Sequence, residues 1–168
     1  MPMRIECRRL GVADANAYQS LRIEGFHLEP RAFRYAPEDE SGVTLAAVEM
    51  RLRRDHVVGA CAGDELIGIG GLACETGVKT GHKALLYGMY VRRAHRGAGV
   101  ADAIMRELVD AARSRVEIVT LTVVSQNDRA RRFYERWGFR AYGVEERAIK
   151  LAEDAYLDEI LMALRVKF

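Results

Sequence analysis

The 168-residue chain has few of the features that mark a membrane, disulfide or metal protein. Its three cysteines, Cys7, Cys61 and Cys74, are far apart, odd in number and form no Cys-x-x-Cys. That pattern excludes a disulfide framework and a zinc site, fits a reducing compartment, and gives no reason to expect a metal. No apolar run approaches the ~18 residues of a membrane span, and no signal-peptide pattern opens the chain, so a soluble, cytoplasmic domain is expected. A formal net charge of +2 is too small to define a nucleic-acid binder. Neither nucleic acid nor membrane is therefore expected as a partner. No Gly-Lys-Ser or Gly-Lys-Thr closes a phosphate loop. A nominal Gly-x-Gly-x-x-Ala from Gly68 to Ala73 lies inside an apolar run with no helix after it, and reads as strand glycines. Repeats, linkers and low-complexity segments are absent. With 49% hydrophobic residues, residues 1–168 form one domain large enough to bury a core.

What is present centres on Tyr87 to Leu108. An apolar run, Ala84 to Val91, leads into a basic stretch carrying Gly97 and Gly99, and then into an amphipathic helix with Val100, Ile104, Leu108 and Ala111 on one stripe. The order is strand, glycine turn, helix. The first amides of such a helix lack internal partners and point outward at the positive end of the dipole. Glycines let a ligand approach the backbone, so the place suits a phosphate or pyrophosphate. Arg92, Arg93 and Arg96 add positive charge, a cluster better matched to a polyanionic small molecule than to a duplex.

The rest of the chain alternates helices and strands. Met3 to Leu10 reads as a strand, and Asp14 caps a helix through Tyr18, Leu21 and Arg22 that stops at Gly25. Phe26 to Tyr35 is an aromatic, basic, Pro-broken loop, and Pro37 opens an acidic turn, Glu38-Asp39-Glu40. A helix over Thr44 to Arg54 puts Leu45, Val48 and Leu52 inward. Val57–Ala62 and Leu66–Cys74 form a hairpin about Gly63-Asp64-Glu65. Glu117 to Val124 suits a central strand, and a short helix starts at Asn127-Asp128 and ends before Gly138. Phe139–Tyr142, Ala148–Leu151 and Ile160–Val166 are the remaining strands of a mixed α/β layer fold.

Two motifs then carry a resemblance. Arg96-x-x-Gly99-x-Ala101 is similar to the pyrophosphate motif of the GNAT superfamily of acyl-CoA-dependent N-acyltransferases. Asn127, Ala130, Tyr134 and Gly138-Phe139 resemble the same family's downstream helix. Element order matches across nearly the whole chain, with features of a broad bacterial-type subgroup in Leu28-Glu29-Pro30-Arg31-Ala32-Phe33 and Asp158-Glu159-Ile160-Leu161-Met162. The resemblance implies the GNAT fold: a twisted, mostly antiparallel sheet of about six or seven strands, flanked by about four helices, in which one parallel pair splays to admit CoA.

It also implies acetyl-CoA as cosubstrate, with no metal, and direct transfer to a primary amine. Amides of Arg96, Gly97, Ala98, Gly99, Val100 and Ala101 would hold the pyrophosphate. Backbone groups of Met89 and Val91 would pair with pantetheine, and one amide there would polarise the thioester carbonyl. Asn127 would contact the CoA arm, while Arg132, with Arg129 and Arg131, would reach the 3′-phosphate or form an exposed face. Tyr134 would protonate the leaving thiolate; by helix periodicity alone it reads equally as a core aromatic.

One departure stands out: the strand Ala84–Val91 lacks the glutamate that many members use as general base. The amine would then lose its proton to water, to Tyr87 or to a group from elsewhere, of which Glu75, at the end of the preceding strand, is the leading candidate, with His82 and Glu145 or Glu146 weaker. A small amine or amino-acid-like molecule ranks first as acceptor, and a protein N-terminus or lysine second. Glu38, Asp39 and Glu40 could draw in a cationic amine. The rival reading is a CoA-binding regulatory module with little turnover. The C-terminal apolar strand either closes its own sheet or pairs across a homodimer.

Overall fold

The structure, a computed structural model, describes residues 4–167; Met3, assigned above to the first strand, lies outside them. Seven strands and five helices follow in the order β1 (Ile5–Arg9), α1 (Ala15–Leu28), α2 (Pro37–Ser41), α3 (Leu45–Arg54), β2 (His56–Ala62), β3 (Glu65–Cys74), β4 (Lys83–Val91), α4 (Val100–Arg113), β5 (Ile118–Val124), α5 (Asp128–Arg136), β6 (Arg140–Ala152) and β7 (Ala155–Arg165). The strands make one sheet, β1-β2-β3-β4-β5-β7-β6. Every neighbouring pair is antiparallel except β4 and β5, as the resemblance implied.

Each face of the sheet carries its own core. On one face Val100, Ile104 and Leu108 of α4 pack on Val58, Ile67 and Leu121, joined by Tyr134 of α5. Ala112, rather than Ala111, closes the buried stripe of α4. On the other face Tyr18 and Leu21 of α1 and Val48 and Leu52 of α3 pack on Val57, Ile69 and Tyr90. Burial of such side chains contributes roughly 1.5–3 kcal/mol each, which makes this two-sided packing the main favourable term in the fold.

Two elements differ from the sequence pattern, and the C-terminal strand takes one of the two arrangements left open for it. Helix α1 runs through Gly25 to Leu28, because Gly25 does not cap it: a Cβ there would lie 3.0 Å from Cγ of Tyr90, so the glycine admits the ring. The segments Phe139–Tyr142 and Ala148–Leu151 lie largely in one strand, β6, whose register shifts against β7 absorb the polar residues between them. Strand β7 pairs with β5 on one side and β6 on the other, so the C-terminal apolar run closes its own sheet.

Helix α4 approaches the sheet over Gly70, where a Cβ would collide with Sδ of Met89 and stand 3.0 Å from both Ile104 and Leu108. Gly70→Ala is expected to destabilise the protein by about 1–3 kcal/mol through overpacking, read as a lower urea midpoint at unchanged slope. An unchanged midpoint would mean that α4 is not seated as described.

Candidate active site

Strands β4 and β5 begin side by side and then part. Their register pairs Lys83 with Ile118, Ala84 with Val119 and Leu85 with Thr120, and stops there. Beyond that point β4 stays paired to β3 as far as Val91, and β5 stays paired to β7 as far as Val124. A wedge-shaped gap therefore opens through the sheet, edged by backbone groups that have no ladder partner. At the gap β4 also bulges: two steps along β3, from Gly71 to Ile69, face three along β4, from Tyr87 to Tyr90. Gly88 takes the left-handed conformation this needs, at φ 63°. The extra residue leaves backbone amides unpaired and turns the strand so that its residues reach both faces.

Two cavities meet at this gap. The larger, about 940 Å³, lies on the α4–α5 side and includes Met89, Val91, Arg96, Gly97, Asn127 and Tyr134 in its lining. The smaller, about 470 Å³, lies on the α1–α3 side and is lined in part by Leu85, Leu86, Tyr87 and Gly88 of the same strand. Ala32 and Phe33 border both.

The turn before α4 is an anion cradle in its backbone. Gly97 and Gly99 are left-handed, with φ of 80° and 79°. The first helical amide with a backbone partner is that of Ala103, which donates to Gly99 O, so the amides from Gly97 to Asp102 have none among the described residues. Arg96 lies at the edge: its own amide donates to Arg93 O, its Nε donates to Val91 O at 2.8 Å and its Nη2 to Glu29 at 3.2 Å. Asp102 faces the cavity as an anion, but its Oδ1 accepts from Trp137 Nε1 at 2.8 Å and lies 3.7 Å from Arg136. This residue set fits a pyrophosphate: free amides at a helix N-terminus, room above both glycines, and a compensated carboxylate.

Across the cleft, Asn127 is the N-cap of α5, accepting from the Ala130 amide at 3.2 Å, and also lines the cavity. It therefore caps a helix whatever else it does. Tyr134 is buried, edge-on to Phe133 and Phe139. Burial alone pushes its phenol above the ordinary tyrosine value, with no hydrogen bond contributing. The hydroxyl is thus a fully protonated donor without a partner among the described residues, which separates it from a satisfied core tyrosine.

The smaller cavity contains four carboxylates and four guanidinium groups. Asp55 accepts from Arg54 at 2.8 Å and from the Tyr87 hydroxyl at 2.6 Å. Burial first, then Tyr18 and Asp55, hold Tyr87 far above its usual pKa, so it stays neutral. Glu159, 2% exposed, accepts from Arg34 at 2.6 Å and from Thr122 at 3.3 Å. Glu40 lies between Arg22 and Arg51, and Asp39 accepts from the Ala36 amide. Of the acidic turn, Glu40 is therefore engaged by arginines and Asp39 by a helix cap, while Glu38 is exposed. The loop after α1 crosses the gap and is tied down by Arg31 to Gln126 and by Arg34 to Glu145 and Glu159.

Two expected site residues lie elsewhere. Glu75 is exposed and lies 3.6 Å from Lys83, at the opposite end of β4 from Met89, and lines neither cavity. Adjacency along the hairpin suggested it, but β3 and β4 run antiparallel. Arg132 is exposed and outside the cleft, which Arg129 and Arg136, also exposed, line instead; Ala98 has an exposed side chain, but the part expected of it is its amide, which lies in the turn between Gly97 and Gly99. Sequence reasoning placed Arg22 on its helix without a role, and quoted Glu159 only as a subgroup feature. Charged residues on otherwise apolar, core-facing elements were the signal.

Residues 18–139 match the family model described as the acetyltransferase (GNAT) family. The N-alpha-acetyltransferase RimI of Mycobacterium tuberculosis is 32% identical over 109 residues, which span 64% of this chain and 67% of that one. A GNAT-family acetyltransferase from Streptococcus pneumoniae superposes with a TM-score of 0.86 at 18% identity, covering 96% of this chain and 99% of that one. The structure of yncA from Salmonella typhimurium, a putative acetyltransferase with its cofactor acetyl-CoA, gives 0.81 at 19% identity over 98% and 95%. The chain belongs to the GNAT acetyltransferase family, enzymes that move an acetyl group from acetyl-CoA to an amine.

Glu29 lines the cleft and accepts from both Arg93 and Arg96. Burial raises its carboxyl, but the two arginine bonds outweigh burial and hold it below the ordinary range. Its stabilisation is complete above the unfolded glutamate value of about 4.3 and is lost as pH falls through the lower folded value. Between about pH 5 and pH 3 the wild type should therefore lose more thermal stability than Glu29→Gln. Parallel loss in the two proteins would show that the pair does not form.

Proposed function

We propose that this enzyme transfers acetyl directly, through a ternary complex, from acetyl-CoA in the 940 Å³ cavity to a small amine in the 470 Å³ cavity. The parting of β4 from β5 carries the reading, because one strand then borders donor and acceptor spaces together. Amides from Gly97 to Asp102 hold the pyrophosphate, and unpaired backbone around Met89 meets the pantetheine. Asn127 contacts the CoA arm, and Arg129 and Arg136 stand where Arg132 was expected.

Acetyl-CoA supplies a thioester whose carbonyl gains negative charge under amine attack and whose thiolate leaves. The amides freed at the Gly88–Met89 bulge are the donors available to that charge. Tyr134 protonates the thiolate, whose conjugate acid has a pKa of about 8.5. Glu159, buried beside the parted stretch of β5, takes a proton from the incoming ammonium in place of Glu75, and the neutral amine then attacks the thioester carbonyl. None of Cys7, Cys61 and Cys74 lines either cavity, which supports direct transfer over an acyl-cysteine route.

A protein N-terminus is the second reading, favoured by the RimI relative. Against it stand the Arg31 and Arg34 ties, which hold the loop after α1 over the gap between the two cavities.

Tyr134→Phe should lower kcat about tenfold or more while acetyl-CoA affinity, measured by calorimetry, stays within about twofold. Glu159→Gln should likewise lower kcat by about tenfold. Unchanged turnover at saturating substrates would remove the role from the residue concerned. Acetylation of N-terminal peptides with far higher kcat/KM than any small amine would favour the second reading.

A further inference from the structure

We infer that the acceptor is a free α-amino acid whose carboxylate is held by Arg22; this rests on the small-acceptor reading above. Arg22 is 7% exposed, on a helix that faces the sheet. An arginine so buried needs its donors and charge answered. Its answers within the chain are incomplete. Nε lies 3.2 Å from Glu40 Oε2, yet makes no hydrogen bond among the described residues. Glu40 is already bonded to Arg51 through Oε1 at 2.8 Å. One carboxylate thus serves two guanidinium groups. Arg54, by contrast, faces Asp55 alone, and Arg34 faces two carboxylates, Glu159 at 2.6 Å and Glu145 at 3.7 Å. Asp39, the remaining carboxylate of the cavity, is bonded to the Ala36 amide. The excess positive charge is local to Arg22 and Arg51.

The setting of the guanidinium is that of a ligand clamp. Its carbon lies 5.7, 5.0 and 5.8 Å from the ring centres of Tyr18, Phe26 and Tyr87. These rings contact the cation without accepting its in-plane N–H groups. Nη1 stands against Gly88, 2.6 Å from where a Cβ would be. The fork is therefore at the bulge that borders the parted strands, and Arg22 lines the smaller cavity there. A carboxylate accepting two N–H bonds from this fork completes the charge balance. The α-amine, one carbon away, is then held next to the gap where the acetyl group is delivered. Phe26, Phe33 and Val43 leave an apolar wall for the side chain. A peptide N-terminus carries an amide in place of that carboxylate and leaves the cation unanswered.

The test is acetylation of the twenty L-amino acids and of their carboxamides, followed by thiol release, with wild type and the variants Arg22→Gln and Arg22→Lys. Calorimetric binding of acetyl-CoA and thermal melting accompany each protein. Wild type should prefer at least one free amino acid over its carboxamide by about 100-fold in kcat/KM. Arg22→Gln should erase most of that preference mainly through KM, leave carboxamide turnover within a few-fold, and still bind acetyl-CoA. Arg22→Lys should restore part of it, and guards against a folding defect in the glutamine variant. Equal use of acids and amides by wild type, or equal loss on both in Arg22→Gln, overturns the carboxylate assignment while the acetyltransferase reading stands. Failure of folded wild type to bind acetyl-CoA would instead remove the donor site on which both readings depend.

Discussion

The structure depends on the loss of pairing between β4 and β5 after Leu85 and Thr120. A parallel pair in a buried sheet normally continues to the end of its shorter strand, since unpaired backbone groups in a low-dielectric interior are expensive. Here the outer partners β3 and β7 keep both strands extended while their facing edges separate. The unpaired backbone is left for a ligand to satisfy. The Gly88 bulge completes the arrangement by turning β4 at the point where it passes from one cavity to the other.

Electrostatics divide along the same line. On the α4 side free backbone amides at a helix N-terminus stand beside Arg93 and Arg96, which share the one carboxylate of Glu29, while Asp102 is engaged by Trp137 and Arg136. On the α1 side the potential comes from side chains, in a set of buried arginine–carboxylate contacts that is one anion short at Arg22. The loop after α1 spans both regions, since Glu29 touches the cradle and Arg34 ties the same loop to β7.

Much of the donor side was legible in the sequence because its chemistry is local. A strand, two glycines and a helix in succession define the cradle without reference to any distant residue. The asparagine that caps α5 and the tyrosine beyond it lie on one short helix. The acceptor side was poorly legible because it is assembled from α1, α2, α3, β4, β5 and β7, and no local pattern records which charges those elements bring together. Glu75 looked close along the chain but lies at the far end of an antiparallel hairpin. Arg132 and Arg129 differ only in helical phase, which a cluster of arginines hides. Gly25 looked like a helix stop and instead makes room for Tyr90, a reason that only the packed structure contains.

The most direct measurement is a crystal structure with CoA and an acceptor amine bound together. The account predicts the pyrophosphate on the amides from Gly97 to Asp102. The pantetheine should lie between the parted segments of β4 and β5, with the thiol and the amine meeting at Gly88 and Met89. CoA bound outside that gap, or an amine held on the α4 side away from Arg22 and Glu159, would contradict it.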